Sequence, residues 1–243
     1  VEISQSLRES NLIERANGGD FLYFVGGGVI ERWAPEVIRC FDMVYSRLRV
    51  PYGVIGLSTG EFNYDAFGRS LRVFCEKASF FFTRDEESVE TFRKAGATRL
   101  PAPGLDVVLA NDEIVKLRRT GDAVTASFRN IPYVDATGDL DWAGWSGALK
   151  RIGVESLIAD CSPAQEQLGI RINYGDTLAQ IAAASVVVAM RYHVILAAAM
   201  LGALPIPICY CPKVQRLAAQ LGIEDYALGI HDHDKLEPTF HRL

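Results

Sequence analysis

The chain has 243 residues, 49% of them hydrophobic, with 21 glycines and 10 prolines, a composition that fits a soluble globular protein and excludes disordered and fibrous classes. Its 25 Lys and Arg residues against 30 Asp and Glu residues give a net charge of -5, so we expect no nucleic-acid partner. The five cysteines show no C-x-x-C spacing, which argues against a disulfide framework or a structural zinc site and favours a reducing, cytoplasmic setting.

The first predicted elements alternate between strand and helix. DFLYFV (residues 20–25) predicts a strand that ends in Gly26, Gly27 and Gly28, and Pro35 opens an amphipathic helix. GVIGLSTG then predicts a strand and its loop. In SFFFTRDEESVETFRKAG, a buried strand precedes a helix that we expect to begin at Thr83 with a capping box and to end at Gly96.

The second half repeats this alternation after a charged, amphipathic segment at residues 111–122, which we predict to be a linking helix and turn because it ends in Thr-Gly-Asp. Strands are predicted at AVTASFRN, VESLIAD, SVVVAM and PIPICY, and helices at residues 142–151 and 177–184, VILAAAMLGA and KVQRLAAQLG, with an irregular tail in HDHDKLEPTFHRL. Such alternation predicts an α/β protein with parallel sheets flanked by helices. We place an N-terminal domain at residues 1–120 and a C-terminal domain at residues 121–243.

The segment VVVAMRYHVILAAAM places Arg191 and His193 inside an apolar run that is too interrupted for a membrane span. No signal-peptide segment appears in residues 1–19, so we expect a cytoplasmic protein. The pair falls where a strand passes into a helix, the edge at which parallel sheets bind ligands. The alternative is a snorkelling Arg191 beside a satisfied core histidine.

Two further arginines follow strands, Arg84 after SFFF and Arg129 after AVTASF. Together with Arg191 they would suit a ligand that carries phosphate and carboxylate, because a guanidinium binds either group bidentately. Each could instead be a surface residue, such as Arg84 paired with Asp85 or Glu87.

Weaker candidates accompany these arginines. Lys213 begins a predicted helix after a strand, and the glycines at 26 to 28 would let backbone approach a ligand, although they match neither the dinucleotide fingerprint nor the P-loop. His231 and His233 lack a further ligand nearby, so we predict no metal site.

These segments resemble the polysaccharide pyruvyl transferases. The matching pieces follow the family's order from about Asp20 to Gly222, namely FVGGGVIE, GLSTG, FFTRDEESVETFRKAGA, PAPGLDVVL, ASFRN, SVVVAMRYHVILAAAMLGALPIPICY and PKVQRLAAQLG. The family's histidine usually follows Arg-Leu, whereas this chain has Tyr192. The family's opening βα unit is not visible, so we expect the N-terminal domain to lack it.

The resemblance implies two Rossmann-like domains facing across a cleft, as in GT-B glycosyltransferases. It also implies transfer of pyruvate from phosphoenolpyruvate to a saccharide as a ketal, in cell-surface or exopolysaccharide biosynthesis. Arg191 and His193 are then the predicted catalytic residues at the donor site. The predicted substrate-binding residues are Arg84, Arg129, Lys213, Gly26, Gly27 and Gly28.

In our mechanistic hypothesis, His193 acts as an acid while a sugar hydroxyl attacks the central carbon of the donor, and the scheme requires no metal or cofactor beyond phosphoenolpyruvate. The acceptor is nucleotide-linked or lipid-linked; peripheral association with the inner membrane and homo-oligomerisation stay open. Two alternatives remain, a GT-B glycosyltransferase that uses a nucleotide sugar and a non-catalytic saccharide- or anion-binding module.

Overall fold

The structure is a computed structural model, and it describes residues 11–26, 28–30, 41–42, 44, 46–60, 64–104, 106–110, 112–129, 140–159 and 168–243. The chain divides into two compact units, Val1–Ala110 and Asn111–Leu243. Each unit has its own parallel sheet. The predicted boundary between two domains, after residue 120, stays a prediction, because a division into compact units does not show that either unit folds by itself.

The first unit alternates strands and helices around a five-stranded parallel sheet. The strand order is β1-β3-β4-β5, and β2 pairs with the carboxyl-terminal end of β3, at Ser58 and Thr59. The elements are α1 (Asn11–Asn17), β1 (Leu22–Val25), β2 (Gly28–Ile30), β3 (Tyr52–Thr59), α2 (Tyr64–Lys77), β4 (Phe80–Thr83), α3 (Glu86–Lys94), β5 (Ala102–Pro103) and a 3-10 turn (Val107–Ala110).

Aromatic side chains form the core of the first unit. The Phe74 ring on α2 is fully buried and stacks on Phe41 and Tyr52, with ring centroids 4.1 and 5.2 Å apart. The Tyr52 hydroxyl donates to the carbonyl of Phe74 at 2.7 Å, which satisfies the buried phenol. The apolar face of α2 is therefore held against β3.

The second unit has a six-stranded parallel sheet in the order β11-β10-β9-β6-β7-β8. Its elements are α4 (Asp112–Lys116), β6 (Ala123–Ser127), α5 (Trp142–Arg151), β7 (Ser156–Ile158), β8 (Arg171–Asn173), α6 (Thr177–Ala182), β9 (Ala184–Ala189), α7 (Tyr192–Leu201), β10 (Leu204–Cys209), α8 (Pro212–Gln220), 3-10 turns (Glu224–Tyr226 and His233–Lys235), β11 (Leu228–Gly229) and α9 (Leu236–Phe240).

This order is that of a Rossmann fold, in which the chain builds strands outward to one side and then returns to the centre to build the other side. Strands β6, β7 and β8 run outward in sequence, and β9 then pairs with the opposite edge of β6. The strand order therefore reverses between β6 and β9. The predicted fold class, parallel sheets flanked by helices, is confirmed.

Two local predictions were wrong, the cap of α3 and the irregular tail. Helix α3 is capped by Asp85, whose Oδ1 accepts from the Ser88 amide at 2.8 Å, and not by Thr83. The tail is not irregular, because α9 buries Leu236 completely and the indole of Trp145 on α5 donates to the Ile230 carbonyl at 2.8 Å. The linking helix and turn predicted at residues 111–122 contain helix α4 followed by non-helical residues.

Gly96 has φ 79 and follows α3, as its sequence position predicted. Cys75, Cys209 and Cys211 are free thiols. Within the part of the chain that the structure describes, no helix has the length and apolar character needed to cross a membrane.

Candidate active site

The candidate site lies at the carboxyl edge of the second unit's sheet. Strands β6, β9 and β10 are neighbours and run parallel, so the residues that follow Ser127, Ala189 and Cys209 emerge at the same edge. Because the strand order reverses between β6 and β9, the crevice beyond their ends is where an open α/β sheet binds its ligand. Strand order alone therefore makes this edge the candidate site.

Arg191 and His193 occupy the turn from β9 into α7. The apolar run changes there from a buried strand to a buried helix, and Arg191 takes extended backbone angles at the N-cap position. Burial, followed by the positive charge of Arg129, lowers the pKa of Arg191. His193 is exposed at the second position of α7, with its ring centroid 5.5 Å from that of Tyr192. An apolar run can thus carry both residues without burying the imidazole.

Arg129 follows β6 and reaches towards β10. Its Nη1 donates to the hydroxyl oxygen of Tyr210 at 3.2 Å, and its Cζ lies 5.6 Å from the centroid of the Tyr210 ring. Burial raises the pKa of Tyr210 and the nearby Cys211 raises it further, while the charges of Arg129 and Lys213 oppose the shift. Tyr210 therefore stays neutral beside these cations.

Lys213 is the second residue of α8, directly after β10, and is partly buried. The charges of Lys213 and Arg129 both oppose the rise that burial causes in the pKa of Tyr210. After burial, the charge of Arg129 also lowers the pKa of Arg191. The structure thus gathers three of the predicted cations, Arg129, Arg191 and Lys213, around Tyr210. Repulsion between like charges at this edge would be relieved by a bound anion.

The helices that begin at this edge add to the positive potential. The N-cap residues of α7 and α8, Arg191 and Cys211, make no side-chain capping hydrogen bond. By contrast, α3, α5 and α6 begin with carboxylate caps from Asp85, Asp141 and Asp176. Helix N-termini attract anions, so α7 and α8 direct a partial positive charge towards this edge without an acidic side chain in the cap.

The remaining predicted residues belong to the first unit. Arg84 follows β4 and is buried, and its Nη1 lies 3.1 Å from Asp106 Oδ2. The amide of Gly26 donates to the Ile55 carbonyl at 3.2 Å, and a Cβ at Gly26 would contact nothing within 4 Å. Gly28 begins β2, whereas Gly27 lies outside the described residues. Their roles as substrate ligands stay predictions.

His233 of the C-terminal segment contacts helix α5. His233 Nε2 lies 3.0 Å from Asp141 Oδ2, at the N-terminus of α5, and its ring packs edge-on to Trp145. Among the residues that the structure describes, no group of three or more His, Cys, Asp or Glu side chains could hold a metal ion.

Two residues at this edge were missed by the sequence analysis. Tyr210 contacts Arg129, and the Ser127 hydroxyl at the end of β6 is buried with no hydrogen-bond partner among the described residues. Both occupy the last strand position or the next one, so inspecting every strand end for hydroxyl groups would have found them. Their aromatic or small side chains resemble ordinary core residues in the sequence.

Solved structures of similar fold come from nucleotide-sugar epimerases. UDP-GlcNAc 2-epimerase from Methanocaldococcus jannaschii, in complex with UDP-GlcNAc and UDP, has a TM-score of 0.63 at 12% identity, covering 97% of this chain and 72% of that chain. A putative UDP-N-acetylglucosamine 2-epimerase from Listeria monocytogenes has a TM-score of 0.62 at 11% identity, covering 98% and 69%. These identities show the fold alone, a GT-B-like pair of Rossmann-like domains.

A structure of accessory secretory proteins 1, 2 and 3 from Streptococcus pneumoniae has a TM-score of 0.52 at 14% identity, covering 97% of this chain and 49% of that chain. No curated protein matches the sequence. The family model for polysaccharide pyruvyl transferase matches residues 3–210, most of the chain. The chain therefore belongs to the polysaccharide pyruvyl transferase family.

Proposed function

We propose that this protein transfers pyruvate from phosphoenolpyruvate to a saccharide acceptor as a ketal, and that the donor binds at the carboxyl edge of the second unit's sheet. Family membership supports pyruvyl transfer in polysaccharide biosynthesis. The observation that supports the donor site is the placement of Arg129, Arg191 and Lys213 where the strand order reverses.

The chemistry of the donor suits this edge. Phosphoenolpyruvate carries a phosphate and a carboxylate on a three-carbon skeleton, so its binding requires several cations within a few ångströms. The guanidinium groups of Arg129 and Arg191 bind such oxyanions bidentately, while Lys213 supplies a point charge. The N-termini of α7 and α8 favour the same negative charge.

In the proposed reaction, His193 donates a proton to the methylene carbon of the enol, and the central carbon becomes electrophilic. One hydroxyl of the acceptor forms a bond to that carbon, and the bond from the carbon to the phosphate oxygen breaks. The second hydroxyl then closes the ketal, so that one phosphate leaves for each pyruvate transferred; of the two hydroxyl protons released, one restores the proton of His193 and the other leaves with the phosphate. The arginines stabilise the oxyanion of the departing phosphate. The exposed position of His193 supports this role.

The first experiment is a thermal-shift titration of the wild type, Arg191→Ala and Arg171→Ala with phosphoenolpyruvate. Arg171 is the matched control, because it begins β8 and so lies at the amino edge of the same sheet. A ligand at 100 times its Kd stabilises the native state by about 2.7 kcal/mol. We expect this stabilisation in the wild type and in Arg171→Ala. Binding by Arg191→Ala should be about 10- to 100-fold weaker, because a charged hydrogen-bond donor is lost.

Catalysis is tested by acceptor-dependent release of phosphate, with pyruvate recovered as an acid-labile ketal on the saccharide. We expect His193→Gln to bind the donor but to lose turnover. If phosphoenolpyruvate fails to stabilise the wild type, the proposal is wrong. Stabilisation by a nucleotide sugar alone would favour a glycosyltransferase, consistent with the UDP-GlcNAc bound by the M. jannaschii epimerase. Donor binding without phosphate release would favour a binding module.

A further inference from the structure

The contact between Arg129 and Tyr210 spans the end of β9. Arg129 follows β6 and Tyr210 follows β10, and β9 lies between these strands. Since neighbouring strands lie about 4.8 Å apart, the backbones of the two residues are about 10 Å apart. They lie on either side of β9, the strand that precedes Arg191. The hydrogen bond of 3.2 Å therefore holds the Arg129 guanidinium across the end of β9.

Charge repulsion explains why Arg129 needs the hydrogen bond to Tyr210. Burial, and after it the charge of Arg129, lowers the pKa of Arg191, as expected for two cations that lie near each other at this edge. Without an acceptor on its far side, the flexible Arg129 side chain would be driven away from Arg191 and into solvent. A hydrogen bond to a rigid, buried phenol opposes this displacement.

The chemical type of the acceptor is equally important. A carboxylate at position 210 would hold the guanidinium but would also neutralise it and compete with an anionic ligand. The Tyr210 hydroxyl accepts the hydrogen bond as a neutral group, and burial of the ring keeps it neutral. Among the described residues, no carboxylate pairs with Arg129. Its charge is thus left for the ligand.

We infer that Tyr210 is a positioning residue of the donor site, which orients Arg129 towards the phosphate or carboxylate of the ligand without reducing its charge. This inference rests on the proposed function for the identity of the donor. The anion site itself is tested independently, because inorganic phosphate serves as the probe.

The test is a double-mutant cycle with Tyr210→Phe, Arg129→Ala and the double variant, in which Kd for inorganic phosphate and for phosphoenolpyruvate is measured by titration calorimetry. Tyr210→Phe keeps the ring and its packing but removes the acceptor. We expect it to weaken binding about 3- to 10-fold, as one hydrogen bond predicts. In the Arg129→Ala background the same substitution should have no further effect. Arg129→Met provides the same cycle if the alanine variant is unstable, because it keeps an unbranched apolar side chain without a donor or a charge.

Kinetics distinguish positioning from a general loss of structure. We expect Tyr210→Phe to raise KM for phosphoenolpyruvate by a similar factor with little change in kcat. The matched control is Tyr226→Phe, because the Tyr226 ring also lies under a guanidinium, that of Arg242 at 5.9 Å, in the same unit. This control should bind phosphate as tightly as the wild type.

The outcomes separate the two proposals. If Tyr210→Phe binds phosphate like the wild type, or weakens binding equally in the Arg129→Ala background, the inference about Tyr210 is wrong while the proposed function stands. If the wild type binds phosphate and the cycle shows coupling but no pyruvate is transferred, the proposed function fails and the positioning role is supported.

Discussion

Arg84 and Arg191 show how the same side chain has different surroundings at two strand ends. The Arg84 side chain is 3% exposed and its partner Asp106 is 4% exposed, with 3.1 Å between Nη1 and Oδ2. Asp106 also accepts from the Val108 amide at 2.9 Å, which orders the 3-10 turn after β5. Arg191 instead lies beside another arginine. We therefore expect Arg84 to contribute chiefly to stability.

We predict that Asp106→Ala lowers the free energy of unfolding by about 3 to 5 kcal/mol, because removal of one partner of a buried ion pair leaves a buried charge behind. The double variant Arg84→Met/Asp106→Leu should recover most of this loss, since no charge is then buried. Urea unfolding measures the free energy of unfolding of the single and the double variant. The control is Arg93→Ala, which removes an exposed pair with Glu90 and should change the midpoint little.

Equal destabilisation of the single and double variants would contradict this view of the ion pair. Phosphoenolpyruvate binding by the double variant would be informative as well, because retained affinity would argue against Arg84 as a donor ligand.

At the scale of elements, strand β3 has an irregular register beside Gly56. The register of β3 against β4 shifts between Val54 and Leu57, where Gly56 has φ 72. A Cβ on Gly56 would lie 2.9 Å from Cγ1 of Val107. Gly202 ends α7 with φ 79, but its Cβ would meet nothing within 4 Å. The two glycines thus share a backbone conformation and differ in surroundings.

We predict that Gly202→Ala costs about 1 kcal/mol and Gly56→Ala more than about 2 kcal/mol in unfolding free energy. Both substitutions strain a left-handed backbone, which costs about 1 to 2 kcal/mol, and only the second also forces a side chain against a packed neighbour. Chemical denaturation of the two variants measures the difference. A Gly56→Ala variant as stable as Gly202→Ala would show that β3 and Val107 adjust without cost.

At the scale of the whole molecule, a net charge of -5 coexists with three cations at one sheet edge. An anionic ligand is therefore attracted locally and not by the protein as a whole. The two compact units have separate cores, with Phe74 at the centre of the first and Leu149 and Trp145 buried in the second. Separate cores predict separate responses to mutation.

We predict that Phe74→Ala and Leu149→Ala each destabilise mainly their own unit, by about 3 to 5 and 2 to 5 kcal/mol, through the cavity left behind. Hydrogen exchange followed by mass spectrometry should show faster exchange in residues 1–110 for the first variant and in residues 111–243 for the second. Each variant serves as the control for the other. Faster exchange throughout the chain in either variant would mean that the two units unfold as one.

Local patterns predicted most of the fold because each strand and helix has its own periodicity. The long strands β3, β9 and β10 and the helices α5, α7 and α8 lie close to their predicted positions. The short strands β2, β5, β8 and β11 were missed, since two or three residues are too few to show a period of two. The cap of α3 was misplaced because Thr83 and Asp85 are both good capping residues and only the backbone geometry distinguishes them.

The sequence by itself determined the α/β class, the alternation of elements, the family and the strand ends that carry Arg129, Arg191 and Lys213, because these follow from local composition, periodicity and motifs. Only the tertiary structure decided that β9 returns to pair with β6, that Arg129 reaches Tyr210 and that Arg84 is buried against Asp106. Strand order and side-chain contacts join residues far apart in the chain, and no local pattern encodes which strand will lie beside which.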